Sequence, residues 1–219
     1  MKFVSNSSEK YGPYMALDED QIKKIFKIAK LKQSDVFYDL GSGNGEIVRQ
    51  AITRHNVKKA VGIEEDYLRF LGSVIDTVSL MTKKEQSRIE FIREDFEKNN
   101  FSEATVIYHG LSETKKTVSM FNTVFEHKRN VRIIVPDIPF VGYRPVKINK
   151  TDYNNPFVVM QTPLEEHRVD KNQWIKEVLG EKGTMEDVYR YRSKLLTELD
   201  PKDKKSFMTD LKNLVKIRF

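Results

Sequence analysis

Residues 36–46 read Val-Phe-Tyr-Asp-Leu-Gly-Ser-Gly-Asn-Gly-Glu and carry the clearest structural signal in the chain. Its first half, Val36–Leu40, is a short apolar run of the kind found in parallel strands that are buried on both faces. Three alternating glycines follow, and a helical pattern then continues to His55. Glycines between a strand and a helix let the backbone turn sharply and leave bare main chain against which a ligand can lie. The stretch therefore predicts a strand–turn–helix unit with a ligand site at the turn.

Strand and helix patterns alternate along the rest of the first three quarters of the chain. Such alternation predicts an α/β sheet with right-handed crossovers. Strands are predicted at residues 36–40, 60–64, 89–92, 104–108, 131–135, 145–148 and 156–161. Helices are predicted after the capping residue Asp18 and over residues 46–55, 66–81 and 113–126, the third with Leu68, Leu71, Ile75, Val78 and Leu80 near its apolar face. The last two strands have no helix between them, so they are expected to pair as an antiparallel hairpin at one edge. The predicted fold is a seven-stranded, doubly wound, Rossmann-like sheet.

The pattern divides the chain into three parts. Residues 1–15 carry no apolar periodicity and are expected to form an extended N-terminal arm, and residues 16–164 form the α/β domain. Residues 165–219 contain three helical stretches, the last of which begins with Asp200-Pro201, an N-cap followed by proline at the first helical position. We therefore expect a C-terminal helical extension packed on the domain.

Composition excludes several classes of protein. The 219 residues include no cysteine, so there is no disulfide framework, thiol nucleophile or cysteine-ligated metal, and the four histidines form no metal-ligand pair at helical spacing. No apolar run approaches the roughly 20 residues needed to span a bilayer, and no secretory signal precedes the domain, so the expected location is the cytoplasm. The net charge of +6 is spread over mixed charges, which are typical of a solvated surface.

Two carboxylates accompany the glycine turn. Asp39 lies two residues before the first glycine, and Glu64 ends the next predicted strand, where it can accept both hydroxyls of a ribose. A dinucleotide site requires a further glycine where this chain has Glu46, whose charge at a helix N-terminus would repel a pyrophosphate. S-adenosylmethionine has no phosphate and carries a cationic amino group and a sulfonium, so the pattern favours it over a dinucleotide; a turn without a ligand is the remaining alternative. The predicted cofactor-binding residues here are Asp39, Gly41, Ser42, Gly43, Asn44, Gly45 and Glu64.

Asp95 and Phe96 follow the third predicted strand and fit the same site. The carboxylate can accept a hydrogen bond from an adenine amino group, and the aromatic ring can cover the base. An acidic residue after a strand is also a common helix cap, and that alternative stays open.

The segments Val36–Gly45 and Val61–Glu64 resemble class I S-adenosylmethionine-dependent methyltransferases. Asp-Leu-Gly-Ser-Gly-x-Gly followed by Gly-Ile-Glu is most similar to the Dot1-type protein-lysine methyltransferases and their small archaeal relatives. The segments Ser102–Val106 and Gly142–Pro145 also resemble members of that group, and the resemblance covers about residues 14–163. It implies a methyltransferase that uses S-adenosyl-L-methionine and methylates lysine side chains of proteins.

One segment departs from the Dot1-type pattern. That pattern has Asn-Asn-Phe after the fourth strand, where this chain has Tyr108-His109-Gly110. Methylation of RNA and a non-catalytic, cofactor-binding scaffold therefore stay open as alternatives, and the sequence leaves the oligomeric state undetermined. We predict that His109 accepts a proton from, or binds, the acceptor amine, that Tyr143 lines a lysine channel, and that Tyr14 closes over the methionine end of the cofactor. For His109 a loop histidine bonded to main chain, and for Tyr143 a side chain that covers the sheet edge, stay open as alternatives.

Overall fold

The computed structural model describes residues 17–110, 121, 123–125, 130–136, 145–148, 157–165, 173 and 176. The predicted N-terminal arm and nearly all of the predicted C-terminal extension lie outside the described residues, as do Tyr14 and Tyr143. In the described ranges, no helix combines the length and the apolar character that crossing a membrane requires.

The described segments form the predicted alternation of helices and strands. The α-helices are α1 (Glu19–Ala29), α2 (Glu46–His55), α3 (Tyr67–Leu80) and α4 (Lys83–Gln86), with a 3-10 turn at Phe96–Lys98. The strands are β1 (Val36–Leu40), β2 (Lys59–Ile63), β3 (Ile89–Ile92), β4 (Val106–His109), β5 (Arg132–Pro136), β6 (Lys147–Ile148) and β7 (Phe157–Gln161). Of the helix predicted over residues 113–126, only residues 121 and 123–125 are described, and three of these four are helical.

The strands lie in one sheet in the order β3-β2-β1-β4-β5-β7-β6. The first five of these are parallel, whereas β7 runs antiparallel to both β5 and β6. This arrangement confirms a Rossmann-like sheet with an antiparallel edge pair. Because β1, β2 and β4 are parallel neighbours, their carboxyl ends meet at one edge of the sheet, where open α/β sheets bind ligands.

Apolar side chains fill both faces of the sheet. Along β1, Phe37 points into the cluster beneath α1 and α2, while Tyr38 and Leu40 point into the cluster on the opposite face. Alternation of this kind places every residue of β1 in the interior, as the unbroken apolar run predicted. The strand ends are therefore held in fixed positions by packing on both sides.

The orientation of α3 differs from the sequence-based expectation. Its predicted apolar face is exposed, and the buried side chains are the small polar residues Ser73 and Thr77. The reason is a close approach between α3 and the glycine turn. A Cβ atom built on Gly45 would lie 2.9 Å from the Cβ of Ser73, so a large apolar side chain at this helix position would collide with the turn.

Candidate active site

The glycine turn between β1 and α2 has a left-handed backbone at every glycine. The φ angles are 85° at Gly41, 54° at Gly43 and 75° at Gly45, values that other residues rarely adopt. The amides of Gly41 and Ser42 both donate to the carbonyl oxygen of Ile63, at 2.9 and 3.0 Å. The turn therefore needs glycines and is fastened directly to the end of β2.

Glu64 joins the glycine turn to the start of α3. Its Oε2 accepts a hydrogen bond from the amide of Gly43 at 2.8 Å, and its Oε1 accepts one from the amide of Asp66 at 2.9 Å. Asp66 in turn caps α3 by accepting from the amide of Arg69. The carboxylate is buried, and each of its oxygens keeps a second lone pair. Glu64 thus lies where the sequence placed it, with capacity left for hydroxyl donors.

Asp39 is a second buried carboxyl group in the same place. Among the residues that the structure describes, neither its Oδ1 nor the hydroxyl of Ser42 has a hydrogen-bond partner. Burial and the nearby charge of Glu64 raise the pKa of Asp39 well above its usual value. A cationic group at this position would offset both effects. The two polar atoms without protein partners and the paired carboxyls fit a ligand that carries positive charge and hydroxyl groups.

Arg49, which the sequence analysis did not single out, stiffens the far side of the turn. Its guanidinium donates to the carbonyl oxygen of Asn44 at 2.7 Å and to Glu46 at 2.9 Å. Burial would raise the pKa of Glu46, but hydrogen bonds from Gln50 and Arg49 outweigh it and hold the pKa below its usual value. Glu46 is therefore a charged carboxylate at the helix start. The only sequence signal for this pair is its i, i+3 spacing.

Two of the predicted cofactor-binding residues have local structural tasks. The side chain of Asn44 accepts from the amide of Glu46 and so belongs to the start of α2. At Gly45, a Cβ atom would lie 2.5 Å from the ring of Phe91. The lack of a side chain at Gly45 therefore allows the turn to pack closely against Phe91 of β3. The main chain that is left bare for a ligand belongs to the part of the turn before Gly45.

Asp95 and Phe96 occupy the start of the 3-10 turn after β3. The carboxylate of Asp95 accepts from the amide of Glu97 at 3.0 Å, which is the capping role that the sequence left open. The ring of Phe96 lies 5.6 Å from the ring of His109. Phe96 and His109 were predicted as site residues from separate segments of the sequence, and the fold brings their rings together.

His109 is fully buried at the carboxyl end of β4, beside Leu40 of β1. Its ring makes edge-on contacts with the rings of Phe96 and Phe121, at 5.6 and 5.7 Å between centroids. Burial lowers the pKa of His109 to about 4. The imidazole is therefore neutral near pH 7. Across the described ranges no group of three His, Asp or Glu side chains is arranged to hold a metal ion.

Comparison with known sequences points to one family. The sequence profile of the family described as histone methylation protein DOT1 matches residues 1–161. A protein-lysine N-methyltransferase from Saccharolobus islandicus is 28% identical over 143 residues, which cover 65% of this chain and 87% of that protein.

Two solved structures with a similar fold are described as RNA methyltransferases. An RNA methyltransferase from Salinibacter ruber, crystallised with S-adenosyl-L-homocysteine, matches with a TM-score of 0.61 and 22% identity over 71% of this chain and 98% of its own. A putative tRNA (m1A22) methyltransferase from Streptococcus pneumoniae matches with a TM-score of 0.53 and 12% identity over 90% and 96%. At these identities the likeness concerns the fold.

Proposed function

The chain belongs to the family of histone methylation proteins DOT1, and we propose that it transfers methyl groups from S-adenosylmethionine to lysine side chains of proteins. It is a methyltransferase by family and by fold. The single observation that carries the lysine assignment is the family match, to which the archaeal protein-lysine methyltransferase adds support. A cytoplasmic location remains part of the proposal.

The site supports this choice of cofactor through its charges. When bound, S-adenosylmethionine supplies an electrophilic methyl group on a sulfonium. In the proposal Glu64 accepts hydrogen bonds from the ribose hydroxyls through its remaining lone pairs, and Asp39 lies towards the cationic end of the cofactor. Positive charge there lowers the pKa of Asp39, which burial otherwise raises. Phe96 covers the adenine, and Asp95 holds the turn that carries it.

The acceptor side of the proposal requires a neutral amine. Removing the proton from lysine at pH 7 costs roughly 4.6 kcal/mol in water, and desolvation in an apolar channel lowers this cost. A histidine whose pKa is about 4 is a weak base. We therefore assign His109 the role of aligning the lysine amine with the methyl group of the cofactor. Correct orientation of the two groups lowers the activation barrier of methyl transfer. In the proposal Tyr143 lines the lysine channel, and Tyr14 closes over the methionine end of the cofactor.

Two finer predictions about architecture belong to the same proposal. One is that β6 is a full member of a seven-stranded sheet, and its two residues are hydrogen-bonded to β7 in an antiparallel register. The other is that residues 165–219 form a helical extension, which rests on the periodicity of that segment.

A labelling experiment tests the acceptor. The purified chain is incubated with tritiated S-adenosylmethionine and a cell extract, with and without ribonuclease. We expect label in protein that survives ribonuclease, and mass spectrometry of the labelled protein should place the methyl group on lysine. A Glu64→Gln variant provides the matched inactive control.

Label that disappears with ribonuclease would replace the lysine proposal with the RNA alternative. No label above that of the control in either incubation would leave the scaffold alternative in its place.

A further inference from the structure

The outer surface of α3 is the most extensive apolar feature among the described residues. Five side chains form what we call the α3 stripe: Tyr67, Leu68, Leu71, Ile75 and Val78. Ile75 and Val78 are 54% and 57% exposed, whereas the inward-facing Ser73 is fully buried. Large apolar residues on the outside of a helix, with small polar residues inside, are the reverse of a surface helix of a monomer. A contiguous apolar surface of this kind marks an interaction site.

The spacing of the α3 stripe indicates that its partner is another helix. Leu68, Leu71, Ile75 and Val78 follow one another at intervals of three, four and three residues, which is the a/d pattern of helices that pack knobs into holes. Both charged residues of α3, Arg69 and Asp76, lie off the stripe, and Asp76 is 3.6 Å from Arg49 of α2. The four aliphatic side chains of the stripe carry neither charge nor hydrogen-bonding groups, while at its first turn the guanidinium of Arg93 lies over the ring of Tyr67, 5.0 Å from its centroid.

The same four residues are arranged symmetrically about the middle of the helix. In an antiparallel pair of α3 helices, Leu68 of one copy faces Val78 of the other, and Leu71 faces Ile75. Gly72 lies close to this midpoint, and a Cβ atom built on it would meet nothing within 4 Å. A small residue at a helix crossing permits close approach of the two backbones. This is the self-complementary surface that a two-fold interface requires.

The area of the stripe is adequate for such a dimer. Five side chains at these exposures present on the order of 500 Å² per copy, so a pair buries on the order of 1,000 Å², about the lower bound for a specific interface. We propose that the chain forms a two-fold dimer in which the α3 stripes of two copies pack antiparallel against each other. Glu64 accepts a hydrogen bond from the amide of Asp66, the N-cap of α3, so the proposed interface lies on the helix next to that carboxylate.

Sedimentation velocity of the full chain tests the dimer. We expect the wild type to be dimeric at tens of micromolar and Val78→Asp to weaken the dimer by at least about tenfold. The matched control is Val146→Asp, because Val146 is 61% exposed and lies away from α3; this variant should stay dimeric. Both valines are exposed, so both variants should fold, which circular dichroism verifies.

Three results would overturn the dimer. A monomeric wild type would mean that residues 165–219 or another protein cover the stripe. If wild type, Val78→Asp and Val146→Asp were all dimeric to the same extent, the interface would lie elsewhere. If both variants weakened the dimer equally, the effect would not be specific to the α3 stripe. None of these measurements depends on methyl transfer, so the dimer and the proposed function fail or succeed separately.

Cross-linking tests the antiparallel arrangement. Because the chain has no cysteine, Leu71→Cys and Ile75→Cys introduce single thiols. Mixing the two variants under mild oxidation should give a disulfide-linked dimer faster than either variant alone, since the proposed pairing brings residues 71 and 75 of different copies together. Equal rates in the mixture and in the separate variants would contradict the pairing.

Discussion

At the scale of single residues, Glu64 has the most demanding position in the candidate site. It is buried, and both of its oxygens accept main-chain hydrogen bonds, one from the glycine turn and one from the start of α3. A carboxylate has acceptors only, so it satisfies both amides at once. This dual role explains why a glutamate is required there even before any ligand is considered.

We predict that Glu64→Gln weakens cofactor binding by at least about tenfold and lowers the free energy of unfolding by about 1–3 kcal/mol. The glutamine amide presents a donor to one of the two main-chain N–H groups, so one hydrogen bond is lost. Isothermal titration calorimetry with S-adenosyl-L-homocysteine measures the affinity. Glu90→Gln is the control, since Glu90 is exposed and pairs with Lys59. An unchanged affinity in Glu64→Gln would remove this carboxylate from the binding site.

The burial of His109 leads to a prediction about how the stability of the fold depends on pH. Its folded-state pKa, about 4, lies below the ordinary value of 6.5, because burial opposes the charged ring. Above pH 6.5 both the folded and the unfolded states are neutral at this residue. As the pH falls from 6.5 to about 4, the unfolded state takes up the proton first, so stability decreases by up to about 3 kcal/mol.

We expect His109→Phe to lack this component of the pH dependence. Urea unfolding at several values between pH 4 and 7 measures it as the difference between wild type and variant, in which other titrating groups cancel. His55→Phe is a matched control with a smaller expected difference, because His55 is only partly buried. Parallel stability curves for wild type and His109→Phe would show that His109 is not buried as a neutral ring.

At the scale of elements, Arg132 fastens α1 to the sheet. The guanidinium, at the start of β5, donates to the carbonyl oxygens of Ala29 and Lys30 at the end of α1 and pairs with Asp35 just before β1. Asp35 is buried and also accepts from the hydroxyl of Thr105. One side chain of β5 therefore connects the start of that strand to the end of α1 and the start of β1, about 100 residues earlier in the sequence.

Replacing this arginine should cost more than replacing an arginine in a surface pair. We predict that Arg132→Ala lowers the free energy of unfolding by about 3–5 kcal/mol, because Asp35 is left buried without its counter-charge. Arg54→Ala, which breaks the exposed pair with Glu19 at 2.8 Å, should cost much less, because solvent screens that pair. Urea denaturation of both variants gives the comparison. Similar losses for the two would mean that the Arg132 network is no stronger than a surface pair.

At the scale of the whole molecule, the order of the strands assembles the site. β1 lies between β2 and β4, so the glycine turn, Glu64 and His109 meet at one edge although they lie far apart along the chain. The 3-10 turn after β3 adds Phe96 to His109. The two carboxyl groups and the two aromatic rings therefore lie at the same edge of the sheet.

Features that depend on neighbouring residues could be predicted from the amino-acid sequence. The glycine turn was predictable because left-handed backbone angles favour glycine, and β1 because a buried parallel strand is apolar throughout. Helix α2 was found over its predicted residues, 46–55. Glu64 was placed correctly because the spacing of a strand–helix–strand unit is nearly constant.

Features that depend on contacts between distant segments could not be predicted from local sequence patterns. The apolar pattern of α3 gives a helix, but the space beside Gly45 decides which face turns inward, and it admits only a side chain as small as Ser73. The partners of Arg132 and the aromatic neighbours of His109 come from other elements. Periodicity describes which side chains share a face, whereas burial depends on what the rest of the chain places against that face.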